Sequence, residues 1–330
     1  MKGLIQQLTE AYGPSGREEQ IRSLIAGLVA GHADAVRTDA MGNLIALKKG
    51  TGGGKRVMIA AHMDEIGLMV TFVDAKGFLR VSPLGGVFAR AALGQRVVFA
   101  DGTTGVIGIE KWLQAAETPA WDKMFVDIGA KSAEGLSVGI GDAAVLSQPF
   151  VDGGERLMAK AMDDRAGCAV AIQALLELGE TPNDVYFVFT VQEEVGTRGA
   201  AVAAFGIEPE VALSIDVTDA GDTPEAKPMA VELGGGPAIK LMDSGMLTHP
   251  GVKRWMVETA EQAGLAHQFE VLTLGSTDAR AIQVSRAGVP AGCISIPCRY
   301  IHTPAEMVDA GDVRACVDLL VALLAGPIEV

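Results

Sequence analysis

RVMIAAH, residues 56–62, places five apolar side chains between an arginine and a histidine. A run so short and so uniformly apolar reads as a strand buried on both faces of a sheet. The same character returns in VYFVFTVQEE (185–194), VALSID (211–216) and AGCISIPCRY (291–300). Helical periodicity separates these runs, predicting helices over 164–179, 197–206, 249–264, 277–287 and 309–325 and strands over 184–192, 211–216, 267–274 and 291–296. Helices alternating with strands predict an α/β fold, a mainly parallel sheet flanked by helices.

Toward the N-terminus, residues 4–30 predict two helices interrupted at Gly13-Pro14-Ser15-Gly16, the second with Ile21, Leu24, Ile25 and Leu28 on one face. AVRTDAMGNLIALKKG (35–50) predicts a hairpin. After RVMIAAH the character changes. LMVTFVDAKGFLRVSPLGG (68–86), GQRVVFADGTTGVIGIE (94–110), KMFVDIGA (123–130) and VGIGDAAVLSQPF (138–150) are short strands divided by Gly and Asp turns, with one helix expected near 131–136. The chain thus reads as one α/β domain, residues 1–69 and 156–330, interrupted by a small β domain at 70–155.

The 330 residues carry a formal charge of −14, which argues against a nucleic-acid partner. The N-terminal segment lacks the apolar run of a secretory signal, and no stretch approaches the ~18 apolar residues of a membrane span. The expected location is the cytoplasm. Cys168, Cys293, Cys298 and Cys316 have no CxxC spacing and read as buried thiols of a reducing compartment.

Candidate ligands cluster by topology. His62 ends its strand, Glu193 and Glu194 end the next, Asp216 ends VALSID, and His302 follows AGCISIPCRY. In a parallel sheet the carboxyl ends of strands share one edge, where open α/β proteins bind ligands. Asp163 and Asp164, in the loop opening a helix, can face that edge too. Singly, each residue has an ordinary reading as a helix cap, a turn or a solvated strand end. Jointly, two of five histidines beside three carboxylate clusters point to a metal centre. Two histidines with three carboxylates and no thiolate suit Zn, Co or Mn.

Two divalent cations set against Asp163, Glu194 and Asp216 leave one positive charge for a hydroxide to neutralise. A carboxylate joining two ions ~3.5–4 Å apart would leave each ion one histidine and one further carboxylate. Asp163 is the natural bridge. Asp64, two residues after His62, can accept the second imidazole N–H. An extra glutamate beside a ligand glutamate supplies a proton carrier. Spacing alone leaves open which of Glu193 and Glu194 is which.

AHMDEIGLMV, KAMDDRAG, VQEEVGTRGA, LSIDV, GSTDA and RYIHTPAEMV stand in the order found in the tetrahedral aminopeptidases, which include glutamyl and deblocking aminopeptidases, and the chain resembles that family over nearly its whole length. The resemblance implies a zinc-peptidase-like domain with an inserted β-barrel-like dimerisation domain at 70–155, and dimers assembling into a twelve-subunit tetrahedron. It implies that His62 and Asp216 hold one metal, Glu194 and His302 the other, that Asp163 bridges them, and that Glu193 is the general acid/base acting on a bridging hydroxide. Zn and Co are the expected ions, and short peptides with a free N-terminus the expected substrates. Thr303, where Ser is common in the family, and a slightly short chain are the departures, and neither touches an expected ligand. Some members carry an endoglucanase label, which would need a carboxylate pair without a metal role.

Two other readings compete. A related metal-dependent deacylase or carboxypeptidase could share the ligand set, and a catalytically silent shell protein would have lost a ligand or the base. Among lesser motifs, Ser276, Thr277 and Asp278 of GSTDA read either as pocket lining or as a helix cap. Arg165 is expected to form a structural ion pair. Gly234-Gly235-Gly236-Pro237 lacks the GK[ST] of a phosphate loop and is expected at the rim of the site. His249 and His267 are expected to be non-ligands.

Overall fold

The computed structural model describes residues 1–111 and 118–330. Helices α1 (Lys2–Glu10) and α2 (Glu19–Val29) bury Ile5, Leu8, Ile21, Ile25 and Val29. A hairpin follows, β1 (Ala35–Thr38) against β2 (Leu44–Lys48). RVMIAAH is β3 (Arg56–His62), buried from Val57 onward.

The chain then leaves the sheet. Strands β4 (Gly67–Val73), β5 (Leu79–Leu84), β6 (Arg96–Phe99), β7 (Thr104–Ile109), β8 (Met124–Asp127) and β9 (Ala143–Leu146) close a barrel in the order β4-β5-β8-β7-β6-β9. Alternation decides what fills it, since Leu68 and Val70 of β4 and Leu79 and Val81 of β5 point inward. One helical turn, α3 (Ala89–Ala92), lies between β5 and β6.

The remainder runs β10 (Val151–Gly153), β11 (Arg156–Ala159), α4 (Met162–Glu177), β12 (Asp184–Thr190), α5 (Arg198–Ile207), β13 (Val211–Asp219), β14 (Ala238–Met242), α6 (Pro250–Gln262), β15 (Gln268–Val271), α7 (Ala279–Gln283), β16 (Ala291–Arg299), β17 (Glu306–Asp309) and α8 (Ala310–Leu324). The large sheet has the order β1-β2-β12-β3-β13-β16-β17-β11-β10, with β14 joined to β16 and β15 to β14. Its four central strands, β12-β3-β13-β16, are parallel, and the neighbours added on either side of them are antiparallel. The sheet is therefore mixed around a parallel centre. Val57, Ile59 and Ala61 of β3 face the core shared with α1, α2, α4, α6 and α8, whereas Met58 and Ala60 face α5 and α7. Helices thus cover both faces, as a parallel centre requires.

The structure departs from the expected elements at several points. Residues 131–136 form turns, with Gly135 at φ +74, and the only α-helical turn among the described residues of the β insertion is α3. Strand β13 continues past Asp216 to Asp219, paired with Cys298, and β16 to Arg299, paired with Met307 on β17. Strands β14 and β17, whose sequences AIKLM and EMVD carry charge, gave no apolar signal. The lysine and glutamate in them are buried, which inverts the usual reading of a charged residue as exposed. All four cysteines are buried free thiols.

Candidate metal centre

The parallel register gathers the candidate residues at one edge. His62 ends β3 opposite Thr190 of β12, so the chain beyond Thr190 carries Glu193 and Glu194 past the histidine. Ser214 of β13 pairs with Ala60, and Asp216 lies two residues farther toward the same edge. His302 sits in the turn after β16 with φ +62, and Asp163 lies at the start of α4 with φ −76 and ψ 105, outside helical geometry.

One carboxylate stands between two imidazoles. Asp163 Oδ1 is 2.9 Å from His62 Nε2, and its Oδ2 is 3.3 Å from His302 Nε2. Asp216 Oδ1 is 4.0 Å from His62 Nε2, and Glu194 Oε2 is 3.1 Å from His302 Nε2. Each imidazole nitrogen thus has one Asp163 oxygen and one further carboxylate oxygen beside it. His62, Asp163 and Glu194 offer ligand atoms within 4.8 Å of one another, and so do His62, Asp164 and Asp216. Asp164 was not among the expected ligands. Its oxygens accept the His62 amide at 3.2 Å and the Gly167 amide at 3.0 Å, which commits it to holding the backbone.

Electrostatics favours a cation here. Burial first, and Asp163 next, push the carboxyls of Asp216 and Glu194 upward, and burial with Asp216, Asp278 and Glu194 does the same to Glu193. Burial opposes a charge on either imidazole, but Asp163 with Asp64 raises His62, and Asp163 with Glu194 raises His302. Burial works against ionised Asp163 as well, yet the two imidazoles hold it low. Glu194 Oε1 is buried and has no hydrogen-bond partner among the described residues. An unpaired buried carboxylate oxygen is costly unless a cation meets it, so the donor set fits divalent metal.

Asp64 departs in detail from its expected role. The backbone carbonyl of Asp64 lies 3.1 Å from His62 Nδ1, closer than its carboxylate at 3.5 Å. The carboxylate instead accepts the amides of Glu193 at 3.0 Å and Glu194 at 3.3 Å and the Ser15 hydroxyl at 2.6 Å. Gln192 next to them has φ +56, and its amide donates to Glu18 at 3.2 Å. The turn that aims both glutamates is thus held by carboxylates from the N-terminal segment and the end of β3.

A cavity of about 520 Å³ opens over these residues. Glu193 lines it, together with Lys240, Ser276, Thr277 and Arg280. Asp278 does not; it accepts the Thr190 hydroxyl and makes no cap bond to α7. Lys240 is fully buried and paired with Glu270. Arg165 is a structural ion pair as expected, bonded to Glu65 and to the carbonyls of Leu8, Ala11 and Gly13. Gly234–Gly236 does not line the cavity; the amides of Gly234 and Gly236 donate to Asp312 on α8. His249 caps α6, and His267 packs edge-on to Phe269. The sequence reading missed the barrel's contribution, for Gly85 abuts Glu194 and Gly86 abuts His302. The paired glycines after SPL were the available signal.

The profile of the M42 glutamyl aminopeptidase family matches residues 42–319. The chain belongs to this family. It is 37% identical over 336 residues to the lysyl aminopeptidase of Pyrococcus furiosus, covering 97% of this chain and 96% of that one. An aminopeptidase structure from the archaeon Desulfurococcus kamchatkensis superposes with TM-score 0.94 at 42% identity, over 98% of this chain and 94% of that one. The Pyrococcus horikoshii TET1 peptidase, described as assembling into a tetrahedron or a large octahedral shell, matches with TM-score 0.88 at 33% identity and 98% coverage of both chains. This M42 chain is therefore a hydrolase of a metal-dependent aminopeptidase family, with the expected α/β fold, helices on both faces of the sheet and an inserted barrel. Its matched span contains His62, Asp64, Asp163, Glu193, Glu194, Asp216 and His302, whereas Ser15 and Glu18 reach the site from outside it.

Proposed function

We propose that this M42 aminopeptidase removes N-terminal residues from short peptides with a pair of divalent cations, His62 and Asp216 holding one, Glu194 and His302 the other, and Asp163 shared. The observation that carries the reading is the placement of Asp163, with one oxygen beside each imidazole at 2.9 and 3.3 Å. When bound, Zn or Co would supply Lewis acidity toward the peptide carbonyl and lower the pKa of water.

The remaining chemistry belongs to side chains of this chain. Glu193 lines the cavity and is no partner of either imidazole at ion-pair distance among the described residues, which leaves its carboxylate free to move a proton. Burial among other carboxylates raises its affinity for that proton. It takes a proton from water and returns it to the leaving amine. A free α-amine would bind beside a metal or a carboxylate at this edge, so a free N-terminus is part of what is recognised.

The chemistry is assigned to the discontinuous unit expected at 1–69 and 156–330, and the dimer contact to the insertion expected at 70–155, whose barrel strands run from Gly67 to Leu146. Assembly into a homo-oligomer, with dimers building a twelve-subunit tetrahedron, is inferred from likeness to the TET1 peptidase.

The test is metal analysis of wild type and Glu193→Gln, with hydrolysis of an aminoacyl p-nitroanilide and its N-acetylated form. The expected result is two ions in both proteins, a loss of about 10²- to 10⁴-fold in kcat in the variant, and little cleavage of the acetylated substrate. Near-normal turnover by the variant removes Glu193 from its role. Equal cleavage of both substrates favours a deacylase.

A further inference from the structure

Glu306 opens β17 and is almost fully buried. Each of its carboxylate oxygens accepts one backbone amide. Oε2 accepts Asp163 N at 3.0 Å, and Oε1 accepts His302 N at 2.7 Å. Those amides belong to the two residues whose side chains meet in the site, with His302 Nε2 3.3 Å from Asp163 Oδ2. A single side chain therefore spans the backbones of two segments remote in sequence.

Neither backbone would keep its conformation through regular secondary structure. His302 is left-handed at φ +62, a region that non-glycine residues avoid, and Asp163 breaks the first turn of α4 with ψ 105. Strained backbone persists only where its surroundings over-determine it, and a carboxyl group with an acceptor oxygen for each amide ties both segments at once. Glu306 forms no ion pair among the described residues, so its two oxygens are left to the two amides. The nearby Lys160 ammonium bonds Glu65 at 2.6 Å instead. Pairing of Glu306 with Ala159 on β11 places the carboxylate beside the segment that runs into Asp163.

We infer that Glu306 is a positioning residue that sets the separation of His302 from Asp163 and thereby the strength of the cation site they form with Glu194. This rests on the metal reading above. A glutamine at 306 has the same size but only one acceptor atom, so one of the two amides would face an N–H₂ group.

The experiment compares chelator-stripped wild type, Glu306→Gln and Glu306→Asp. Cobalt is titrated into each and followed by its visible absorption, and amide hydrogen exchange is measured in parallel on the metal-free proteins. For Glu306→Gln the expected result is the cobalt equivalent held by His302 and Glu194 weakened about 10- to 100-fold, the range typical of outer-shell partners, with the other, which shares Asp163, weakened less. Exchange at the His302 or Asp163 amide should also accelerate in this variant. Glu306→Asp keeps both carboxyl oxygens one methylene short, should lose the same equivalent to a smaller degree, and decides the matter if the glutamine variant does not fold. Wild-type affinity for both equivalents with unchanged exchange at both amides overturns the inference. A wild type that takes up no cobalt sinks the metal reading and the effect on cation affinity with it, and the exchange measurement then decides whether Glu306 positions the two backbones.

Discussion

The Glu193 amide donates to Asp64 Oδ1 at 3.0 Å, so the proposed proton carrier hangs from the residue two positions after His62. The same carboxylate takes Glu194 N and the Ser15 hydroxyl. Asp64→Ala should leave three donors without their acceptor and let the turn at Gln192 relax. The expected loss is about 10- to 100-fold in kcat or metal affinity, with Ser15→Ala showing a smaller loss in the same direction. Steady-state kinetics with metal titration would check it, and an Asp64→Ala enzyme within twofold of wild type in both would refute it.

Beneath the site, Glu65 joins two buried cations, Lys160 at 2.6 Å and Arg165 at 3.3 Å. Arg165 also ties down the carbonyls of Leu8, Ala11 and Gly13, so this cluster holds the N-terminal segment that supplies Ser15 and Glu18. Removing one partner of a buried ion pair strands the others. Glu65→Ala is therefore expected to cost about 3 to 5 kcal/mol of unfolding free energy, measured by urea denaturation. A cost under about 1 kcal/mol, the range of exposed pairs, would mean that water reaches the cluster.

How much of this was legible in the sequence follows the kind of signal each residue gives. RVMIAAH and VYFVFTVQEE announced central strands because both faces are buried, and their ends then located His62, Glu193 and Glu194. Strand β17 was silent because Glu306 and Asp309 read as surface residues, although Glu306 is buried to clamp two amides. Register and pairing, not pattern, brought Ser15 to Asp64 and Gly86 to His302, contacts that no local window contains. Lys240, fully buried against Glu270 on the cavity wall, was invisible for the same reason.

Glu18 gives a prediction with a definite sign in pH. Burial is the main cause that lifts its carboxyl from 4.5 to about 7, with Asp64 adding to it. Between those values the folded chain binds more protons than the unfolded one, so this residue's contribution to stability falls as pH rises from 4.5 toward 7 and stays low above. Both of its amide partners, Gly16 and Gln192, use Oε1, which glutamine retains. Glu18→Gln is thus expected to stabilise the protein at pH 8 by on the order of 1–3 kcal/mol and to lose that advantage near pH 4.5. Urea unfolding at a series of pH values in chelator would measure it, and parallel stability curves for the two proteins would contradict it.

The barrel should matter to catalysis through one missing methyl group. A Cβ built on Gly86 falls inside contact distance of the His302 ring, Nδ1 first, while Phe88 stands 6.3 Å from the ring on the same segment. Gly86→Ala must push the imidazole away from Asp163 and Glu194, whose oxygens lie 3.3 and 3.1 Å from its Nε2. Displacements near 1 Å at a reacting centre can cost about 10²-fold. The expected outcome is a kcat lowered about 10- to 100-fold with the far-UV spectrum unchanged. Gly27→Ala is the control, because a Cβ there meets nothing within 4 Å and the residue lies inside α2. That variant should keep full turnover and gain roughly 0.5–1 kcal/mol from helix propensity. Full turnover in Gly86→Ala would show that the His302 ring can shift without loss, and that the barrel's approach to the site is packing alone.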